Sequence, residues 1–106
     1  MDRTYVDEVN PNGFSVRYKI KEVLFSGKSP FQKVEVVFTE GHGKMLLNDD
    51  LVMVTERDEF VYHDMITHVA MATNPNIKRV LVIGGGDGGT VRELTRYEHL
   101  EKIDMV

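Results

Sequence analysis

The sequence predicts an α/β chain in two parts: a small antiparallel β-sheet domain over residues 1–54 and, over residues 55–106, the opening of a doubly wound parallel domain. Three observations carry this. Period-two alternation and turn chemistry recur through the first half, helical spacing replaces them after Thr55, and an apolar run at 79–83 leads straight into a glycine-rich loop. The 106 residues, 42% apolar and 28% charged, have a globular composition and suffice to bury a core.

Phe14, Val16, Tyr18 and Ile20 alternate with Ser15, Arg17 and Lys19, the signature of a half-buried strand, and Asn10-Pro11-Asn12-Gly13 is the turn that opens it. A second apolar patch, Val23-Leu24-Phe25, runs into turn residues at Ser26-Gly27-Lys28-Ser29-Pro30. Val34 to Phe38 supplies a β-branched and aromatic strand, closed by Glu40-Gly41-His42-Gly43. The short polar link Asn48-Asp49-Asp50 then joins Lys44–Leu47 to Leu51–Val54 as a hairpin.

From Thr55 the period changes. Thr55 is placed to cap a helix, with Glu56, Asp58 and Glu59 bringing negative charge to its first turn, where unpaired N–H groups favour it. Val61, Met65, Ile66, Val69 and Ala72 follow helical spacing and predict the core-facing stripe, and Asn74-Pro75-Asn76 ends the helix. Arg79-Val80-Leu81-Val82-Ile83 reads as a parallel strand buried on both faces, Thr90–Arg96 as a second helix, and Ile103–Val106 as the start of another apolar run.

Composition excludes several functions. No cysteine is present, which removes disulfides, thiolate nucleophiles and Cys-based metal centres and is compatible with a cytoplasmic setting. A net charge of −4 without a basic cluster argues against nucleic acid or an anionic membrane as partner and favours cationic ligands. Neither a leader-like apolar core at Met1–Tyr5 nor a membrane-length apolar stretch is visible.

The chemistry concentrates in two places. Gly84-x-Gly86-x-x-Gly89 follows an apolar strand and precedes a helix, the context in which such a loop binds a nucleotide; a tight structural turn is the other reading. Asp87 inside it would repel a pyrophosphate and attract a cationic group, as carried by sulfonium nucleosides; alternatively it caps the following helix. Tyr62 and His63 are adjacent on a helix and point about 100° apart, so at least one of them needs a polar partner or a ligand. His63 and His68 lack the i, i+4 spacing of a helical metal pair and no His-Glu-x-x-His occurs, so no metal is expected. His42 and His99 read as solvated. Nothing local singles out Gln32 in Ser29-Pro30-Phe31-Gln32.

Taken together, Ser29-Pro30-Phe31-Gln32, Thr55-Glu56-Arg57-Asp58-Glu59-Phe60-Val61-Tyr62-His63, Asn74-Pro75-Asn76 and Val80 through Glu93 closely resemble, in order and spacing, the spermidine synthase (polyamine aminopropyltransferase) family. The resemblance implies an N-terminal β-sheet domain used in oligomer contacts, giving a homodimer or homotetramer, and a Rossmann-like, methyltransferase-type domain. It implies transfer of an aminopropyl group from decarboxylated S-adenosylmethionine to putrescine, giving spermidine and methylthioadenosine. Gln32, His63, Gly84, Gly86 and Asp87 then become contacts to the decarboxylated co-substrate, Asp87 toward its cationic end, and Tyr62 a wall of the diamine channel.

Two departures bear on the acceptor. Asn48-Asp49-Asp50 stands where the family usually has Leu-Asp-Gly, and Met53 where a glutamine is common; a thioether cannot hydrogen-bond an ammonium as an amide does. The family's ribose-binding carboxylate and catalytic aspartate have no counterpart in these residues, so the chain reads as an N-terminal fragment inactive alone. A non-catalytic binding or oligomerisation module and an adenosylmethionine-dependent methyltransferase are the alternatives, and Tyr62-His63 with Gln32 favours the aminopropyltransferase.

Overall fold

A computed structural model describes residues 3–106. Met1 and Asp2, part of the stretch read for a leader, lie outside the described residues. Backbone contacts divide the chain into two units, residues 1–58 and 59–106.

The first unit is a five-stranded antiparallel meander in sequence order: β1 (Tyr5–Asn10), β2 (Phe14–Lys28), β3 (Lys33–Thr39), β4 (Gly43–Asn48) and β5 (Leu51–Thr55). Its core gathers Val6, Ile20, Val37, Met45 and Leu47. Alternate residues of β3 point inward, so Glu35 is buried beside Val37 and Thr39. Burial pushes its carboxyl toward protonation, but hydrogen bonds from Arg3 and Ser26 outweigh it and hold the group below its usual range.

Strand β1 was not expected. Tyr5, Val6 and Val9 do not alternate, and of these Val6 alone is buried; pairing with β2 and a cross-strand Asp7–Arg17 ion pair at 2.8 and 3.0 Å hold it in place. Strand β2 runs unbroken through what alternation divides into strand, patch and turn. Register shifts at Ile20/Glu22 and Val23/Phe25 reset which side chains face inward, and an interrupted period reads in sequence as an interrupted strand. The Asn48-Asp49-Asp50 hairpin forms as expected. Asp49 and Asp50 both take left-handed backbone angles, φ 50° and 66°, as a two-residue hairpin turn requires.

The second unit holds α1 (Glu59–Thr73), β6 (Arg79–Val82), α2 (Gly89–Leu94) and β7 (Lys102–Met105), with β6 and β7 parallel. Its core is built on Met71, Val82 and Leu94. Three expectations change here. Thr55 ends β5 and donates its hydroxyl to Asp58, so it organises the turn before α1 rather than capping the helix, which begins at Glu59. The buried line of α1 is His63, Thr67 and Met71, while Val61, Met65, Ile66 and Val69 are exposed, because α2 packs along the polar line and not the apolar stripe. Strand β6 is covered on one face: Val82 is buried, but Leu81 is 59% exposed. A two-stranded sheet with both helices' buried residues gathered about Val82 leaves the other face bare. Among the described residues no helix is long and apolar enough to cross a membrane.

Candidate functional site

Strand β6 delivers the chain into the glycine loop. Gly84, Gly85 and Gly88 adopt φ of 81°, 71° and 82°, a region where a side chain is strained, so half of the six glycine-loop positions 84–89 serve the backbone path. Gly86 has no such angle, and a Cβ there would meet nothing within 4 Å, which leaves that side of the loop open to a ligand. Asp87 Oδ1 accepts the Gly89 N–H at 2.9 Å, so it binds the N-terminal end of α2. The same oxygen lies 3.3 Å from His63 Nε2.

His63 is buried to 2% exposure on α1. One turn earlier, Glu59 Oε2 meets its Nδ1 at 2.5 Å, and Arg92 donates to both Glu59 oxygens at 2.9 Å. Hydrogen bonds from Arg92, and then from His63, hold the Glu59 carboxyl below the ordinary range. Gly89 makes this packing possible. A Cβ there would sit 2.2 Å from the His63 ring, so the third glycine of the fingerprint makes room for the imidazole. Tyr62 is exposed, its ring edge-on to His63 with centroids 5.3 Å apart. Of the two adjacent aromatic side chains, the buried one found the polar partners.

Asp87 Oδ1 and His63 Nε2 thus converge beside an open glycine loop, and the neighbouring guanidinium of Arg92 is engaged by Glu59 and Glu93. Such a place suits a cationic N–H donor and repels phosphate.

A second cluster lies alongside. His68 contacts Glu93 Oε1 at 2.9 Å, Asp64 at 3.6 Å and the Tyr97 hydroxyl at 2.6 Å. Asp64, His68 and Glu93 could in principle share a metal, but Arg92 and Arg96 already hold Glu93 at 2.9 and 3.0 Å, and two guanidinium groups oppose a divalent ion. Hydrogen bonds from His68, then Arg92, pull the Glu93 carboxyl down to about 2. A depressed carboxyl stabilises the fold above its unfolded value of 4.5 and loses that contribution as pH falls toward 2. Glu93→Gln is therefore expected to flatten the fall of the thermal midpoint between about pH 5 and about pH 2. Equal slopes for the two proteins would show that Glu93 is not the linked group.

In the first unit, Gln32 sits on an exposed loop wrapped around Ser29, whose Oγ accepts the N–H groups of Phe31 and Gln32 at 3.1 and 3.0 Å. Ser29 shapes the loop and leaves the Gln32 side chain at the surface.

The family model described as "Spermidine synthase tetramerisation domain" matches residues 4–56, and that described as "Spermine/spermidine synthase domain" matches 59–106. The chain belongs to the spermidine synthase family. A polyamine aminopropyltransferase of Clostridium perfringens is 67% identical over 93 residues, covering 86% of this chain and 33% of the relative. The crystal structure of spermidine synthase from Thermotoga maritima superposes with a TM-score of 0.92 at 37% identity, over 99% of this chain and 36% of that one. A further spermidine synthase structure, in complex with the transition-state analogue AdoDATO, matches equally well. The chain spans about a third of the length of these spermidine synthase relatives.

In the sequence Glu59 shows only a helix-end role and Arg92 none. The i, i+4 spacing of Glu59 and His63 was the available signal; Arg92, 33 residues from Glu59, left none.

Proposed function

We propose that the protein containing this chain is a spermidine synthase, which transfers the aminopropyl group of decarboxylated S-adenosylmethionine to putrescine and yields spermidine and methylthioadenosine. The observation that carries this reading is the approach of His63 Nε2 to the Asp87 carboxylate, 3.3 Å apart beside the glycine loop. The amine nitrogen attacks the carbon next to the sulfonium, the carbon–sulfur bond breaks, the thioether leaves with its electron pair, and the amine loses a proton. Catalysis of such a displacement is mostly alignment and proton removal.

Asp87 and His63 hold the ammonium of the aminopropyl arm, Gly84 and Gly86 let the co-substrate approach the backbone, and Gln32 contributes a further contact to it. Tyr62, exposed beside His63, lines the path of the diamine. No residue of this chain is assigned to proton removal. The parallel β6–α2–β7 arrangement supports reading residues 55–106 as the opening of a Rossmann-like domain. The first sheet, residues 1–54, serves assembly into a homodimer or homotetramer, in keeping with the family description it matches. The setting is cytoplasmic.

Calorimetry on the full-length protein tests the reading. Decarboxylated adenosylmethionine is expected to bind more tightly than adenosylmethionine, and Asp87→Asn to weaken it about 10- to 100-fold, the worth of one hydrogen bond to a charged group. Tighter binding of adenosylmethionine would instead favour a methyltransferase and sink the proposal.

A further inference from the structure

The Glu59–Arg92 pair lies behind His63, on the side away from Asp87, and its geometry fixes more than the position of the ring. Arg92 grips both Glu59 oxygens at 2.9 Å, one of which also meets His63 Nδ1 at 2.5 Å. An ionised carboxylate can only accept, so the hydrogen in the Nδ1 contact belongs to the imidazole. In the neutral ring the other nitrogen, Nε2, must then carry a lone pair. Nε2 lies 3.3 Å from Asp87 Oδ1, and the Asp87 carboxylate is itself acceptor-only and already takes the Gly89 N–H. Two acceptors at that separation repel unless a hydrogen lies between or beside them. The ring is packed closely against Gly89, with no room between them even for a methyl group.

We propose that Glu59 and Arg92 are positioning residues which lock neutral His63 with its proton on Nδ1, so that Nε2 and Asp87 form a paired acceptor that only an incoming N–H donor satisfies. The tautomer makes the pair selective. With the proton on Nε2, His63 would donate to Asp87, the two would satisfy each other, and a ligand ammonium would find one acceptor fewer. The ammonium identity of that donor rests on the function proposed above; the tautomer does not. The charged groups facing the ring are Glu59 on its own helix, Asp87 on the glycine loop and, through Glu59, Arg92 on α2.

The test uses the full-length protein with 15N-labelled histidine rings, the His63 signals being assigned with His63→Gln, at a pH where the ring is neutral. Wild type is expected to show a protonated Nδ1 and an unprotonated Nε2, and Glu59→Gln, which replaces one acceptor oxygen by a donor, to move proton density to Nε2. Arg92→Lys keeps the charge but loses the two-point grip and is expected to give an intermediate spectrum. In parallel, Glu59→Gln should weaken decarboxylated adenosylmethionine about 10-fold and change methylthioadenosine, which lacks the ammonium, less than about 2-fold. A wild-type ring protonated on Nε2 when neutral overturns the proposal, as does equal weakening of both ligands. Wild-type protein that binds neither ligand would defeat the functional reading, while the ring spectrum still decides the role of Glu59 and Arg92.

Discussion

Replacing Gly89 by alanine is expected to unseat His63, destabilise the second unit by about 2–3 kcal/mol and abolish measurable binding of a cationic ligand at the glycine loop. The new Cβ would lie 2.2–2.4 Å from Cε1, Nδ1 and Nε2 of the ring, far inside van der Waals contact. His63 has nowhere to retreat: it is buried, and its two nitrogens face Glu59 and Asp87. Helix α2 must move instead, loosening the packing around Met71 and Leu94. The backbone angle of Gly89 is not left-handed, so the cost comes from crowding alone. A double-mutant cycle isolates it. In a His63→Ala background the same glycine change should cost less than about 1 kcal/mol, leaving a coupling of about 2 kcal/mol between the positions. Additive losses would mean that the ring does not rest on this glycine.

Leu47→Ala is expected to destabilise the first unit by about 3–4 kcal/mol, measured by urea unfolding at fixed protein concentration. Leu47 is fully buried on β4, opposite Glu35 of β3 and Val52 of β5, in contact with the cluster of Val37 and Met45. A strand has no freedom to collapse into the gap while both flanking ladders hold. Leu46 points to the other face and is only half-buried, so Leu46→Ala should cost about 1 kcal/mol. If the two substitutions cost the same, the inward register of β4 is misassigned.

What could be read from the residues follows the range of the interactions involved. The Asn48-Asp49-Asp50 turn, the glycine loop and the polar need of the Tyr62-His63 pair are set by chemistry within a few residues, and all were legible. Strand β1 was not, because its pairing partner and not its own pattern makes it a strand. The apolar stripe of α1 misled for a related reason: periodicity shows that a helix has an apolar face, but whether α2 packs on that face is decided by Gly89 making room for His63. Of the two readings the sequence allows for Asp87, a ligand contact or a helix-end acceptor, the second has a counterpart in its bond from the Gly89 N–H, made with the oxygen that also approaches His63. Gln32 stood out only through family resemblance, and its loop geometry explains Ser29 better than it explains the glutamine.

The order of the strands has an entropic consequence. In the first sheet each strand pairs with its neighbour in sequence through links of two to four residues, the longest being 29–32 between β2 and β3. The parallel pair β6–β7 instead encloses residues 83–101, nineteen in all. Closing that longer segment costs about 1.4 kcal/mol more than closing the longest hairpin link, before any packing of α2 repays it. The two sheets therefore meet different kinetic demands: one can zip hairpin by hairpin as it leaves the ribosome, while the other must wait for α2 to dock before its second strand is held.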